Sequence, residues 1–441
     1  MPIRKIKARQ IFDSLGQPTV EVDLITDIGL LRSSVPCSSL FPGDNEAKEI
    51  RDDDEAAYNG RSVLKVVESI NNVIAPEILK SKLEVNQQRE IDLLMQSLDG
   101  TPDKSKLGAN AMLGISVACC KAAAAKRGLP LYRYIAILSD SGANVRRLPV
   151  PVFCLMSGGR AAGNGLVYQE FLILPTGAET FAEALRMGTE IYRDLERKLA
   201  ELQELKPPLT VADDGAFAPE LEDDNEALTT LNEAIKSAGY DGKVKIALDV
   251  DASAFFREGM YDLEFKTDES DPENYLEPEA LREQYTELFT QFPAIVSVED
   301  PFDQEDWDSW SALASQAPTV QVVADLLTAT NPERIEEAKE KQAANCLSIK
   351  LGQIGTVTEA IECVKAARAA GWSYLVSAGH GETEDTFIAD FAVGVSAGQF
   401  KAGAPCRGER LAKYNQILRI EEELGQEARY AGEKFRELID Y

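Results

Sequence analysis

Basic residues are in short supply: 46 lysines and arginines face 74 aspartates and glutamates, a formal net charge of −28. So acidic a surface repels a phosphate backbone, and no nucleic-acid partner is expected. An anionic ligand needs a local positive field, from a bound metal or a few focused lysines. Cysteine is sparse and unpatterned: the seven thiols, at positions 37, 119, 120, 154, 346, 363 and 406, form no CxxC and no paired metal spacing. That excludes a disulfide scaffold and leaves reduced thiols in a cytosolic protein as the expectation. Long apolar runs are missing too. The N-terminal segment is charged and lacks the apolar core of a signal peptide, and the most apolar stretch, Asn110 to Ala125, is broken by Lys121. No membrane partner and a cytoplasmic location are therefore expected. Histidine occurs once, at His380.

What is present is an ordinary globular composition in 441 residues, enough for a small domain attached to a large barrel. The first part mixes strands and helices. Thr19-Val-Glu-Val-Asp-Leu-Ile-Thr alternates like a half-buried strand, residues 62–74 have helical spacing that Pro76 is expected to end, and Leu107 to Lys126 reads as a buried, Ala-rich helix. Two close prolines in Arg146-Arg-Leu-Pro-Val-Pro-Val mark the start of a second domain. The expected division is an α+β domain over residues 1–140, capping a catalytic barrel over 145–441. No linker is long, so the two should pack tightly.

From about residue 240, short β-branched runs alternate with amphipathic helical stretches. The polar residues closing the runs are Asp249, Glu299, Asp325, Lys350, Ser377 and Lys401, at successive spacings of 50, 26, 25, 27 and 24. One βα unit takes about 25 residues, which predicts an α/β fold with a (β/α)8 barrel. No nucleotide-binding glycine loop argues for an open sheet instead.

Chemistry in such barrels sits at the C-terminal strand ends. Three successive units offer a carboxylate there, and two later ones a lysine. A single acid in such a place is ordinarily a solvated loop residue. Three in phase with the repeat repel one another unless a cation lies between them, and oxygen donors without histidine or cysteine point to Mg²⁺. A lysine beside that metal can serve as a base once positive charge lowers its pKa, and a second can hold a carboxylate. Together these groups suit proton abstraction α to a carboxylate. Barrel-mouth residues are rarely needed for the core, so Lys401→Ala and Asp249→Ala are expected to leave folding intact.

Long segments resemble the enolase family, the glycolytic 2-phosphoglycerate dehydratases, over essentially the whole chain. They include Ala8-Arg-Gln-Ile-Phe-Asp-Ser, Leu107-Gly-Ala-Asn-Ala, Tyr168-Gln-Glu-Phe, Ser297-Val-Glu-Asp-Pro-Phe, Gly381-Glu-Thr-Glu-Asp-Thr-Phe-Ile-Ala-Asp and Glu409-Arg-Leu-Ala-Lys-Tyr-Asn-Gln. The resemblance implies an enolase-type (β/α)8 barrel that begins ββαα, a smaller N-terminal α+β domain, a homodimer and Mg²⁺ as cofactor. It makes Asp249, Glu299 and Asp325 the metal ligands, Lys350 the base and Lys401 the contact to the substrate carboxylate. Glu170, beside Gln169, matches an acid working at the leaving hydroxyl, and Asp214 stands where the family has a longer glutamate.

The loops depart from the family. The closing loop that gives a serine to a second metal reads Cys37-Ser-Ser-Leu-Phe-Pro-Gly-Asp-Asn, one residue longer, so closure of residues 37–45 is in question. In the 157–164 loop a histidine becomes Ala161 and Arg160 enters. In the 377–381 loop the histidine, arginine and serine of the family become Ala378, Gly379 and His380. Each lost charge-assisted contact to a phosphate costs roughly 1.5–3 kcal/mol. The expectation is a lyase that keeps Mg²⁺-assisted enolisation but takes an altered anionic carboxylate, with Arg160 and His380 facing a differently placed anion. A slow glycolytic enolase and a non-catalytic binding or structural relative are the alternatives.

Overall fold

The computed structural model describes residues 1–36, 42–142, 144–268 and 270–438. The chain begins with an antiparallel sheet of three strands, Lys5–Phe12, Pro18–Thr26 and Gly29–Ser34, in that order. The middle strand is buried on both faces, not half-buried as its alternation suggests. Its apolar side packs on the helix Ala109–Lys126, so close that a Cβ on Gly114 would lie 2.7 Å from Val22. Its polar side is roofed by arginines: Arg9 pairs with Glu21 and Asp23, and the Arg32 Nε donates to Asp23 at 2.7 Å. That cover leaves Asp23 buried although it faces outward. A second expectation also fails in part. Pro76 does not end the helical run, because a wide π-type turn at Ile70–Ile74 leads directly into the helix Ala75–Ser81. Pro76 falls in that helix's first turn, where a missing N–H is tolerated.

The barrel is closed by eight strands: Val150–Ser157, Glu170–Leu174, Lys245–Asp249, Ile295–Glu299, Gln321–Ala324, Cys346–Ile349, Ser373–Ser377 and Gln399–Gly403. The second strand runs antiparallel to both neighbours, and two helices, Phe181–Leu202 and Asp224–Ser237, follow it. This is the ββαα beginning, after which βα units repeat. Pro151 sits inside the first strand, where pairing with the second begins only at Phe153, so its missing N–H breaks no bond of that ladder. Helix starts are marked by side-chain caps at Thr180, Asp223, Asp306, Asn331 and Thr356. The long 50-residue interval between Asp249 and Glu299 holds a short hairpin, Phe256–Arg257 with Met260–Tyr261, before the helix Pro278–Gln291.

Inside the barrel a reciprocal amide pair, Gln321 and Gln399 at 2.9 Å, is extended by Ser297 and Ser373 at 3.0 Å. These groups satisfy one another and fix the strand register beneath the charged mouth. The two parts of the chain meet beside that mouth. Asp92, on the helix Gln88–Asp99, accepts from Thr358 N at 3.1 Å and Thr358 Oγ1 at 2.6 Å, at the start of the helix Val357–Ala369. Ser116 Oγ accepts from Val357 N at 3.0 Å, and Lys104 pairs with Glu359 at 2.9 Å. The helix Val357–Ala369, which follows the short helix Leu351–Ile354 after Lys350, is thereby held by the N-terminal part. Among the described residues, no helix is long and apolar enough to cross a membrane.

Candidate active site

Asp249 and Glu299 are the last residues of the third and fourth barrel strands, Asp325 and Lys350 lie one residue past the fifth and sixth, and Lys401 is in the eighth. The strand phase therefore delivers all five to one end of the barrel. Lys401, 6% exposed, reaches Asp249 at 2.6 Å, Glu170 at 2.8 Å and Glu299 at 2.9 Å. Lys350 pairs with Asp325, whose other oxygen accepts from Gln353 Nε2 at 3.0 Å. Asp300 accepts from Asp325 N at 3.0 Å and Leu326 N at 2.9 Å, which fixes the turn carrying Asp325.

The electrostatics follow from crowding in a buried place. Burial tends to lower the Lys350 pKa, but Asp325 and Glu299 carry it above the ordinary lysine range. Lys401 too is raised well above its ordinary value against the same burial, by Asp249, Glu170 and Glu299. Glu299 is pushed up to about 8, by burial against the pull of Lys401, with Asp249 and Asp325 adding to the rise. Burial raises Asp249 as well, while Asp325, beside Lys350, ends below its ordinary value despite burial. Glu299 Oε1 is buried with no hydrogen-bond partner. In this arrangement the two ammonium groups do the work of a cation, and both lysines are charged.

Oxygen donors alone, crowded, buried and with one oxygen unpartnered, suit a hard dication, so Asp249, Glu299 and Asp325 fit the Mg²⁺ expected of them. They are not drawn into a tight trio. Among the described residues, the group whose ligand atoms all lie within 4.8 Å of one another is instead Cys154, Glu170 and Asp214.

Two adjoining pockets, of about 390 and 330 Å³, open over these residues, and Gln169, Asp249, Lys350 and His380 line both. Arg160 is in the second but is already engaged: it grips Asp251 with two hydrogen bonds, of 2.8 and 3.1 Å. Burial lifts Asp251 to about 7 against the pull of Arg160. His380 lines both pockets and is ringed by positive groups. Desolvation, then Lys350, Arg410, Lys401 and Arg160, press it down to about 3, which leaves a neutral imidazole. The turn that carries it is pinned from below, since buried Arg410 donates to Gly379 O at 2.7 Å and to His380 O. Of the 37–45 loop, residues 37–41 lie outside the described residues; Gly43 N donates to Glu46 Oε1 at 3.0 Å.

Three site residues escaped the sequence reasoning. Glu46 arrives from the N-terminal part, where Ala47 N donates to Gln353 O at 2.8 Å, and burial lifts its carboxyl to about 7. Nothing in its local sequence signals a barrel contact. Asp300 stood in view, directly after Glu299 in a quoted motif. Asp251 lies two residues past a strand end and gains its meaning only from Arg160, 91 positions away.

The fold and site define a barrel enzyme with an acidic, lysine-bridged mouth and a capping domain that adds a residue to it. Comparison with known families agrees at both ends of the chain. Residues 145–439 match the enolase C-terminal TIM barrel domain and residues 3–135 the enolase N-terminal domain. The chain belongs to the enolase family, and its class is that of the superfamily's lyases.

Proposed function

We propose that this protein is a Mg²⁺-dependent carbon–oxygen lyase that removes the α-proton of a 2-phosphoglycerate-like carboxylate through an enolate, with recognition of the remainder of the substrate altered. The supporting observation is the convergence of Lys350, Lys401, Asp249, Glu299 and Asp325 at one end of the barrel, linked by the Lys350–Asp325 pair and by the contacts of Lys401 with Asp249 and Glu299. Mg²⁺ held by the three carboxylates would supply Lewis-acid stabilisation of negative charge developing on the substrate carboxylate. Lys350 is kept charged chiefly by its ion partners, so loss of Asp325 to another cation frees its Nζ to accept a proton. Lys401 remains an ammonium and holds the substrate carboxylate. Glu170 and Asp214 pass a proton to the departing group, and Asp214, one methylene shorter than glutamate, shortens that reach.

Altered recognition is supported by the rebuilt loops. A phosphate dianion meets an arginine already bound to Asp251 and a neutral His380. Two missing charge-assisted contacts, at roughly 1.5–3 kcal/mol each, weaken such a ligand severely. The proposal extends, by family resemblance, to a cytoplasmic homodimer. A non-catalytic reading is favoured by one observation, that the lysines already compensate the carboxylates within the chain. Solvent exchange of the α-proton of 2-phosphoglycerate in D₂O with Mg²⁺, followed by NMR, tests these readings. Slow exchange, lost in Lys350→Ala, supports the proposal. Rapid exchange with full conversion to phosphoenolpyruvate restores the glycolytic reading. Absence of both exchange and Mg²⁺ binding leaves the non-catalytic one.

A further inference from the structure

A second constellation at the barrel mouth differs in chemistry from the oxygen-only trio. Cys154 is on the first barrel strand and fully buried, Glu170 starts the second, and Asp214 sits in the turn before Gly215. Their ligand atoms all lie within 4.8 Å of one another. A thiol among carboxylates would carry little weight without a second observation, and Asp214 provides it. This side chain is only 9% exposed; its Oδ1 accepts from Ala216 N at 3.0 Å and Ser157 Oγ at 3.4 Å, while its buried Oδ2 has no partner. A buried carboxylate oxygen without a donor is costly, and here it stands beside a sulfur and a second carboxylate. Glu170 and Asp214 also line the larger of the two active-site pockets, which leaves room for a water ligand.

We propose that Cys154, Glu170 and Asp214 form a binding site for a thiophilic divalent cation, with Zn²⁺ as the fitting occupant, separate from the Asp249, Glu299 and Asp325 site. A thiolate with two carboxylates and one water gives the four donors that Zn²⁺ takes, and sulfur discriminates against Mg²⁺. Binding releases the Cys154 thiol proton to solvent as the sulfur–metal bond forms. Glu170 turns part of its charge from Lys401 to the metal, and three anionic ligands compensate the dication. Resting on the proposed function, the same event removes Glu170 and Asp214 from proton transfer at the leaving group, so such a metal acts as an inhibitor.

Co²⁺ reports thiolate ligation optically, through a sulfur-to-metal charge-transfer band in the near ultraviolet. The full chain, saturated with Mg²⁺, is titrated with Co²⁺. The expected result is a band that saturates at one Co²⁺ per chain, is displaced by Zn²⁺, persists in Cys406→Ser and vanishes in Cys154→Ser. Asp214→Ala should keep the band but weaken Co²⁺ roughly tenfold or more, which decides the matter if Cys154→Ser fails to fold. No band, a band that survives Cys154→Ser, or unchanged affinity in Asp214→Ala overturns the site. Because the readout is binding, it stands or falls independently of any lyase activity.

Discussion

Replacing Lys401 with methionine keeps an unbranched side chain one atom shorter and removes the one charge shared by Asp249, Glu170 and Glu299. The ammonium lies 2.6–2.9 Å from all three, in a place where neither it nor Asp249 nor Glu299 is more than 6% exposed. Breaking a buried pair by removing one partner costs about 3–5 kcal/mol, because the other charge is left uncompensated. Some of that cost is avoided because Glu299, raised to about 8, is already largely protonated at neutral pH. In EDTA, Lys401→Met should therefore unfold in urea with a loss of about 3 kcal/mol, against the expectation that mouth residues are dispensable for folding. Magnesium then discriminates between causes. At a hundred times its Kd, a ligand specific to the folded state contributes about 2.7 kcal/mol. The variant should gain more from Mg²⁺ than the parent, since the cation no longer has an ammonium to displace. Urea unfolding followed by circular dichroism, with EDTA and with Mg²⁺, measures both quantities. Equal stability of variant and parent in EDTA, or an equal gain from Mg²⁺, would refute the reasoning.

Asp92→Asn should change the pH dependence of stability. Burial raises the Asp92 carboxyl from 3.8 to about 6, so the folded state binds its proton more tightly, and stability falls as pH rises from the lower value through the upper. The total is about 3 kcal/mol, and the asparagine variant should lack that decline and gain on the parent between pH 4 and pH 7. The amide also offers a donor to Gln88 Oε1, which has no partner; a variant that tracks the parent across this range contradicts the assignment. Arg410→Leu removes two charge-assisted bonds, to the carbonyls of Gly379 and His380, each worth roughly 1.5–3 kcal/mol. Amide exchange across residues 378–381 should accelerate at least tenfold, and unchanged protection would show that the turn is held by other contacts.

The barrel was legible because it is periodic. Polar strand ends recurring at one βα length put Glu299, Asp325, Lys350, Ser377 and Lys401 in phase before any contact is known. The one irregular interval, after Asp249, is a hairpin and not a lost unit. Legibility fell where neighbours override local pattern. Alternation in Pro18–Thr26 predicts one wet face, but Arg9 and Arg32 roof that face from outside the strand. Pro76 reads as a terminator until a wide turn places it at a helix start. In the site, residue identity carried the five central charges, whereas charge state depended on partners far away in sequence. His380 looks like a cation until four surrounding positive groups and desolvation are counted.

The 157–164 and 377–381 loops make their charged contacts within the chain. Arg160 answers Asp251, Arg410 holds the backbone of the His380 turn, and Lys350 and Lys401 answer the strand-end carboxylates. Each device neutralises or anchors a group that would otherwise await a ligand. Acidic side chains outnumber basic ones around the two pockets, and burial lifts the carboxyls of Glu46, Asp251 and Glu299 toward neutrality. The same mouth carries the Asp249, Glu299 and Asp325 carboxylates and the cluster of Cys154, Glu170 and Asp214, in which Asp214 Oδ2 has no hydrogen-bond partner.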